Sequence, residues 1–208
     1  MKTDKGKLHV EFDNKHKSWD PRFKRYAYRL MPGEYGLASN GEMLITLLGS
    51  CVCACIRDKT TGIGGMNHFL LTHSRKVEYS HNISHDYDDK STRYGVGAME
   101  VLINDLLKHG SQRANLEAKI FGGAKVTDTE NKIGSDNIAF VKDYLNLEQI
   151  PLISSDVGGT QARTVYFIPE TGDVFVRKVD KVAVMDLEKQ YKNQLNEHDT
   201  DGEVYFLD

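Results

Sequence analysis

Cys51 and His68 are the residues in this 208-residue chain whose types and spacing best suit nucleophilic chemistry. Cys51 follows a Gly-Ser pair inside one apolar run, and His68 follows a Gly-Gly pair on the next. An imidazole within hydrogen-bond reach of a thiol takes its proton, and the thiolate can then attack a carbonyl carbon. If the two runs form neighbouring antiparallel strands, we expect the two side chains to meet across the sheet.

A structural role is the alternative for both residues. Free Cys is among the most buried residue types, and a lone His in an apolar run is often a satisfied core residue. Cys51, Cys53 and Cys55 stand at every second position, so a strand would place all three on one face. Such neighbours do not form a disulfide framework, which predicts reduced thiols in a reducing compartment.

A zinc site is a further alternative. Structural zinc sites usually use CxxC loops that wrap the ion, and the CxCxC pattern matches them poorly. The polar stretch 72–92 adds His73, His81 and His85 among several aspartates, but no regular element there fixes their geometry. We therefore predict a solvated loop, and neither a metal nor another cofactor.

Composition and charge narrow the class of protein. Hydrophobic residues make up 39% and charged residues 27% of the chain, which is typical of a soluble globular domain. The net charge is −3, with both signs interspersed, so a nucleic-acid partner is not expected. The apolar runs are too short for a membrane-spanning helix, and residues 1–17 lack the apolar segment of a signal peptide. These features predict a cytoplasmic protein without membrane insertion.

The glycine pattern suggests where a substrate could be held. Gly49 and Ser50 interrupt the apolar run 43–56, which predicts a bulged strand whose backbone N–H groups could form an oxyanion hole. A second glycine pair, Gly122-Gly123, follows a strand that ends in Phe121. Glycine there would allow close approach of a ligand backbone.

Hydrophobic periodicity predicts a mixture of helices and strands. Apolar residues recur at helical spacing over 93–109 and over 135–147, with Ser135 as a cap for the second helix. Strands are predicted over 116–121 and 152–157, and a hairpin over 164–178 turns at Pro169–Gly172. We predict three segments in the chain: an N-terminal arm at 1–33, one domain at 34–180 and a charged C-terminal tail at 181–208.

The order of these motifs resembles the chemoreceptor glutamine deamidase family, CheD. The matching segments run from about residue 34 to 178 and leave both tails outside. They are LLGSCVCACIRD, GGMNHFLL, RYGVGAME with LINDLL, LEAKIFGGA, IGSDN, DVGG and the hairpin TVYFIPETGDV.

The resemblance implies a fold, an activity and a set of site residues. The implied fold is α+β, a three-layer α/β/β arrangement of a cysteine hydrolase with mixed, largely antiparallel sheets. The implied activity is that of a protein-glutamine glutaminase, which converts glutamines of methyl-accepting chemotaxis receptors to glutamates. Cys51 and His68 match the family's catalytic pair, and Thr46 is the nearest match to its catalytic threonine.

The mechanism expected from these residues needs no metal or organic cofactor. Cys51 would form a thioester, His68 would move protons, and Thr46 would orient His68. Gly49 and Ser50 would contribute to the oxyanion site, and the loop of Phe121, Gly122 and Gly123 would contact the receptor. A non-catalytic protein that regulates receptors or a CheC-type phosphatase is the alternative.

Overall fold

The architecture comes from a computed structural model, which describes residues 17–70, 90–126, 132–180, 184, 189 and 190. The described residues include ten strands and two helices, besides a short 3-10 turn at Arg113–Asn115. In chain order these are β1 Lys17–Asp20, β2 Arg25–Leu30, β3 Tyr35–Ala38, β4 Met43–Leu48, β5 Val52–Asp58, β6 Gly64–Asn67, α1 Lys90–Lys108, β7 Leu116–Gly122, α2 Ile133–Leu147, β8 Leu152–Val157, β9 Ala162–Ile168 and β10 Asp173–Val179.

Two five-stranded sheets and a layer of helices form three layers. One sheet, called sheet A, has the strand order β1-β2-β4-β9-β10, and the other, sheet B, has the order β3-β6-β5-β7-β8. Both helices pack on sheet B, on the side away from sheet A. All strand pairs are antiparallel except β2 with β4 and β7 with β8. The predicted α+β, three-layer α/β/β fold is confirmed.

Strand β5 shows why this part of the sequence is apolar at every position. Val52, Ala54 and Ile56 face the helices, whereas Cys53 and Cys55 face sheet A. Sheet B is thus covered on both faces in its centre, which requires apolar side chains at consecutive positions. The predicted common face of the cysteines is confirmed, and it lies in the layer between the sheets.

The predicted bulged strand over 43–56 is wrong in one respect. The run forms two strands, β4 in sheet A and β5 in sheet B, joined by residues 49–51. Both strands are buried on both faces, so hydrophobic periodicity does not mark the change of sheet. The glycine therefore marks a crossing between the sheets instead of a bulge within one of them.

The region ahead of residue 34 also differs from a simple arm. Residues 17–30 supply β1 and β2, and β2 pairs in parallel with β4. Trp19 and Tyr26 are 54% and 50% exposed and pack edge to face on each other, so both lie at the surface. The boundaries 1–33, 34–180 and 181–208 stay predictions, and most of 1–16 and 181–208 lies outside the described residues.

The helices and the C-terminal hairpin follow the sequence pattern closely. Helix α1 ends just before Gly110, which has the positive φ of 95° that favours glycine after a helix. Helix α2 begins at Ile133, and Ser135 is not its cap. The residue at the cap position is Lys132, whose carbonyl accepts a hydrogen bond from the Ser135 hydroxyl.

Candidate functional site

The crossing between the sheets, Gly49–Cys51, holds the candidate nucleophile. Its three carbonyls each accept a hydrogen bond from the segment between β7 and the first turns of α2. The donors are Ala124 N to Gly49 O at 2.7 Å, Asn137 Nδ2 to Ser50 O at 2.9 Å and Gly123 N to Cys51 O at 2.7 Å. A regular strand alternates its carbonyls between two sides, so this backbone is held out of strand geometry.

The glycine pair after β7 is required by this close approach. A Cβ on Gly122 would lie 2.2 Å from Cys51 O, and Gly122 has a φ of 106°. A Cβ on Gly123 would lie 2.6 Å from Ile138 and 2.8 Å from Gly134 O, at the start of α2. Only glycine fits between the Cys51 backbone and the helix without displacing one of them.

Asn137 is a site residue that the sequence analysis does not single out. It lies in the second turn of α2 and is fully buried, and its amide donates to Ser50 O. The sequence pattern that indicates Asn137 is a polar residue on the apolar side of an amphipathic helix, close after a glycine. A buried amide of that kind normally has a specific hydrogen-bonding partner.

The backbone of His68 bonds to the segment just before β3. Its N–H donates to Glu34 O at 2.9 Å, and its carbonyl accepts from Gly33 N at 2.8 Å. Where β5 would otherwise bond the backbone of Asn67, Ala54 N donates to the Asn67 side-chain oxygen at 2.9 Å. The side chain of Asn67, next to His68, thus takes the place of a backbone carbonyl as the acceptor for β5.

Thr46, on β4 of sheet A, contacts the His68 ring across the layer. Thr46 Oγ1 lies 2.7 Å from His68 Nδ1 and 2.9 Å from Leu30 O. A carbonyl can only accept, so the single hydroxyl proton goes to Leu30 O. The hydroxyl must then accept a proton from Nδ1, which fixes the tautomer with Nδ1 protonated and a lone pair on Nε2.

The electrostatics of His68 agree with this neutral tautomer. The ring is 2% exposed, and burial lowers its pKa to about 3 because a charged imidazolium would lose its hydration. Nε2 is buried and has no hydrogen-bond partner among the described residues. At neutral pH the ring therefore presents an unprotonated nitrogen that can take a proton.

Cys51 lies in the same layer as the His68 ring. The β5–β6 register pairs Cys55 with Met66, and the bridge of Val52 to Phe69 continues it. Extending that register places His68 opposite Cys53 and one diagonal step from Cys51, a separation of about 7–8 Å between Cα atoms. Both side chains face sheet A, so the predicted meeting of Cys51 and His68 is geometrically possible.

The three thiols differ in position. All are reduced and buried, and Cys51 alone lies in the crossing outside β5. Burial, together with a hydrogen bond to Cys53, raises the pKa of the Cys55 thiol, which keeps it protonated. Cys55 is thus a packing residue in the layer between the sheets.

The expected receptor-contacting loop is not on the surface in this structure. Phe121 is 4% exposed and packs between the sheets, and Gly122 and Gly123 are buried beneath the crossing. Cys51 itself is 0% exposed, so a substrate must displace covering residues to reach it. The receptor-contacting role of this loop stays a prediction, and its glycines already have the internal reason given above.

Metal ligands and membrane-spanning helices are two features on which the described residues bear. Among the described residues, no group of three or more His, Cys, Asp or Glu side chains could hold a metal ion. His73, His81 and His85 lie outside the described part of the chain. No helix in the described ranges is long and apolar enough to cross a membrane.

The sequence matches the model of a known family over about half of the chain. That family, described as CheD chemotactic sensory transduction, is matched by residues 72–178. The matched range begins after Cys51 and His68, so the family model alone does not reach the candidate pair.

The matches to individual proteins extend over positions 51 and 68 of this chain. The chain is 44% identical over 191 residues to a probable chemoreceptor glutamine deamidase CheD of Methylobacillus flagellatus, covering 89% of this chain and 92% of that protein. It is 41% identical over 205 residues to a probable chemoreceptor glutamine deamidase CheD 1 of Shewanella oneidensis, covering 96% and 97%. A relative from Herminiimonas arsenicoxydans, a probable chemoreceptor glutamine deamidase CheD, is 41% identical over 191 residues, covering 89% and 91%.

Proposed function

Because this chain belongs to the CheD family, we propose that it uses Cys51 and His68 to deamidate glutamine side chains of methyl-accepting chemotaxis receptors. It is a protein-glutamine glutaminase, an amidohydrolase of chemotactic signal transduction. The observation that supports the assignment of residues is the Thr46–His68 hydrogen bond. It leaves a lone pair on His68 Nε2 in the layer that holds Cys51.

The first half of the reaction forms a thioester. His68 Nε2 takes the thiol proton of Cys51, and the sulfur attacks the carboxamide carbon of the glutamine. The C=O electron pair moves onto oxygen to give a tetrahedral oxyanion. When the oxyanion collapses, the C–N bond breaks and the proton on Nε2 passes to the departing ammonia.

The second half of the reaction releases glutamate. With ammonia gone, Nε2 is again unprotonated and removes a proton from a water molecule that attacks the thioester carbon. Collapse of this second oxyanion breaks the C–S bond, and the proton returns to the Cys51 sulfur. The net change is a carboxamide and water converted to a carboxylate and ammonium.

The oxyanion is held by backbone N–H groups of the crossing, in our proposal those of Ser50 and Cys51. The carbonyls of Gly49 and Ser50 are bonded to the β7–α2 side. In a trans peptide the next N–H points opposite to the carbonyl, so these N–H groups point away from that side. Donors fixed in advance stabilise the developing negative charge without reorganising.

The proposal also includes a cellular compartment and a partner protein. We propose that the protein works in the cytoplasm, which agrees with three reduced thiols in the described residues. The family resemblance also implies binding to a CheC-type phosphatase. Co-purification of the two proteins from a mixture would test that partner directly.

The decisive experiment replaces the nucleophile. Cys51→Ala should abolish the one-dalton mass gain at receptor glutamines when the protein is incubated with a receptor cytoplasmic fragment. Cys55→Ala is the matched control, since its thiol lies on the same face and should be dispensable. Full conversion by Cys51→Ala would refute the catalytic assignment.

The alternative, a non-catalytic regulator, makes a different prediction for the same variant. Cys51→Ala would then bind receptors and restore the chemotactic response as well as the original protein does. A folded wild-type protein that binds receptor without any glutamine conversion would favour this alternative.

A further inference from the structure

Asn137 holds the Ser50 carbonyl, and the mechanism above uses the direction of that carbonyl without giving Asn137 a role. Its amide Nδ2 donates to Ser50 O at 2.9 Å, and the side chain is fully buried. The contact joins helix α2 to the residue next to the nucleophile, across 87 positions of sequence. It is a side-chain bond to the crossing, whereas the carbonyls of Gly49 and Cys51 accept bonds from backbone N–H groups.

The bond fixes one particular peptide unit. Ser50 O and Cys51 N belong to the same planar group, and the described peptide bonds include no cis form. Holding the carbonyl toward α2 therefore directs the Cys51 N–H to the opposite side. Rotation of this unit would redirect the N–H while leaving the carbonyls of Gly49 and Cys51 on their own donors.

The carbonyls of Gly49, Ser50 and Cys51 accept bonds from the β7–α2 side, so the next N–H groups point away from it. The Val52 N–H donates to Phe69 O, and the successive N–H groups of Ser50 and Cys51 form the anion-binding concavity in our proposal. The outer carbonyls are held by Ala124 and Gly123 whatever residue occupies position 137. The carbonyl of the middle unit accepts its bond from the Asn137 side chain, so a substitution at position 137 acts on this unit.

We infer that Asn137 is a positioning residue that aims the Cys51 N–H at the oxyanion of the deamidation reaction by holding the Ser50 carbonyl. The inference rests on the proposed thioester mechanism. Asn137 does not touch the substrate, and it acts on catalysis only through the peptide between Ser50 and Cys51. Its loss should lower the rate of steps that form an oxyanion and leave the thiol and imidazole intact.

Alkylation of Cys51 distinguishes the loss of an oxyanion donor from a displacement of the thiol or the imidazole. Iodoacetamide reacts with a thiolate by displacement at an sp³ carbon, so no oxyanion forms. A variant that lacks only the oxyanion donor should alkylate at Cys51 normally. A variant in which the thiol or His68 has moved should lose both reactions together.

The experiment compares Asn137→Ala with Asn146→Ala, an exposed position on the same helix. Deamidation of a receptor fragment is followed by ammonia release over a range of substrate concentration and pH. Alkylation of Cys51 is followed by peptide mass mapping, which distinguishes it from Cys53 and Cys55. Asn137→Leu, similar in volume and without a donor, is the second variant should Asn137→Ala fail to fold.

We expect Asn137→Ala to lower kcat by about 10²–10³-fold, the range found for loss of an oxyanion donor. KM, the shape of the pH profile and the alkylation rate should stay within about threefold of Asn146→Ala. Two results would overturn the inference: a kcat within threefold of the control, or a loss of alkylation or shift of the pH profile matching the loss of kcat. Failure of the proposed function would be recognised by a different result. Either the Cys51→Ala variant would still deamidate the receptor fragment, or the wild-type protein would never do so.

Discussion

Cys51 and His68 are held by different kinds of contact, although both side chains lie in the layer between the sheets. Cys51, the proposed nucleophile, is fixed through backbone carbonyls that accept bonds from the β7–α2 side of sheet B. The backbone of His68, the proposed base, bonds Gly33 and Glu34, and its ring bonds Thr46 of sheet A. The position of Cys51 therefore depends on close packing, and the orientation of the His68 ring depends on a single hydroxyl across the layer.

This difference predicts which kind of substitution disrupts each half of the site. A backbone held by tightly packed donors tolerates no added volume, because its neighbours cannot move without losing their own bonds. A ring held by one hydroxyl tolerates changes of shape but not the loss of the oxygen. Variants that add one carbon or remove one oxygen distinguish the two halves.

The largest effect is expected from added volume at the nucleophile. Gly122→Ala would place a Cβ 2.2 Å from Cys51 O at a φ of 106°. We expect a loss of at least about 2 kcal/mol in the free energy of unfolding, and little remaining deamidation. Urea unfolding and ammonia release measure the two quantities.

Gly97→Ala is the matched control for this substitution. Gly97 lies inside helix α1, and a Cβ there meets nothing within 4 Å. Alanine in place of glycine within a helix should stabilise the protein by about 0.5–1 kcal/mol. Equal stability of the two alanine variants would contradict the close approach of Gly122 to Cys51 O.

A smaller effect is expected from the loss of one oxygen at the base. Thr46→Val keeps the shape and removes the acceptor for His68 Nδ1. We expect kcat to fall by roughly 10–100-fold, part of the 10²–10⁴ that a well-placed general base contributes. Leaving Leu30 O and Nδ1 unpaired should also cost about 1–3 kcal/mol of stability.

Two measurements make the Thr46 prediction specific. Thr46→Ser retains the hydroxyl and should keep most of the activity. Nitrogen NMR of the His68 ring should show a protonated Nδ1 in the wild-type protein and a mixture of tautomers in Thr46→Val. A ring protonated at Nε2 in the wild-type protein would show that the Thr46 hydroxyl donates to the ring instead of accepting from it.

The smallest effect is a pH dependence of stability. His68 has a pKa of about 3 in the folded protein, below its ordinary value of 6.5. Between these values the unfolded chain binds more protons, so stability falls as the pH decreases below about 6.5. From pH 7.5 to 5.5 the loss from this residue should be about 1.4 kcal/mol.

His68→Gln isolates that contribution because it removes the titrating ring. Urea unfolding of both proteins at pH 7.5 and 5.5 should show a smaller loss in the variant, by about the same 1.4 kcal/mol. Asp58 titrates too low to interfere. Burial raises its pKa, but hydrogen bonds from Thr60, Gln112 and Thr61 outweigh this and lower it to about 2. Identical pH dependence in the two proteins would mean that the His68 ring is not buried in a neutral form.

Much of the fold can be predicted from the sequence. Both helices, the β5–β6 pair, β7, β8 and the β9–β10 hairpin lie close to their predicted positions, because each has a local signature of period or turn. The crossing at Gly49–Cys51 has no such signature. An apolar run buried on both faces has the same pattern whether it stays in one sheet or enters another.

The residues of the candidate site also differ in how far the sequence indicates them. Cys51 and His68 can be chosen from residue type and local spacing, and the resemblance to known motifs strengthens the choice. Thr46 follows from that resemblance alone, and its contact with His68 is visible only in the folded chain. Asn137 has only a weak signal, its place on the apolar side of a helix, and a lone amide on a helix is usually an ordinary surface residue.

By itself, the sequence determined which residues can do the chemistry and which local elements carry them, because side-chain type and short-range periodicity are local properties. The tertiary structure alone decided that β4 and β5 belong to different sheets, that Thr46 sets the tautomer of His68, and that Asn137 holds the Ser50 carbonyl. These contacts join residues that are distant in the chain. Their partners depend on the order and register of the strands in both sheets together, which no local pattern specifies.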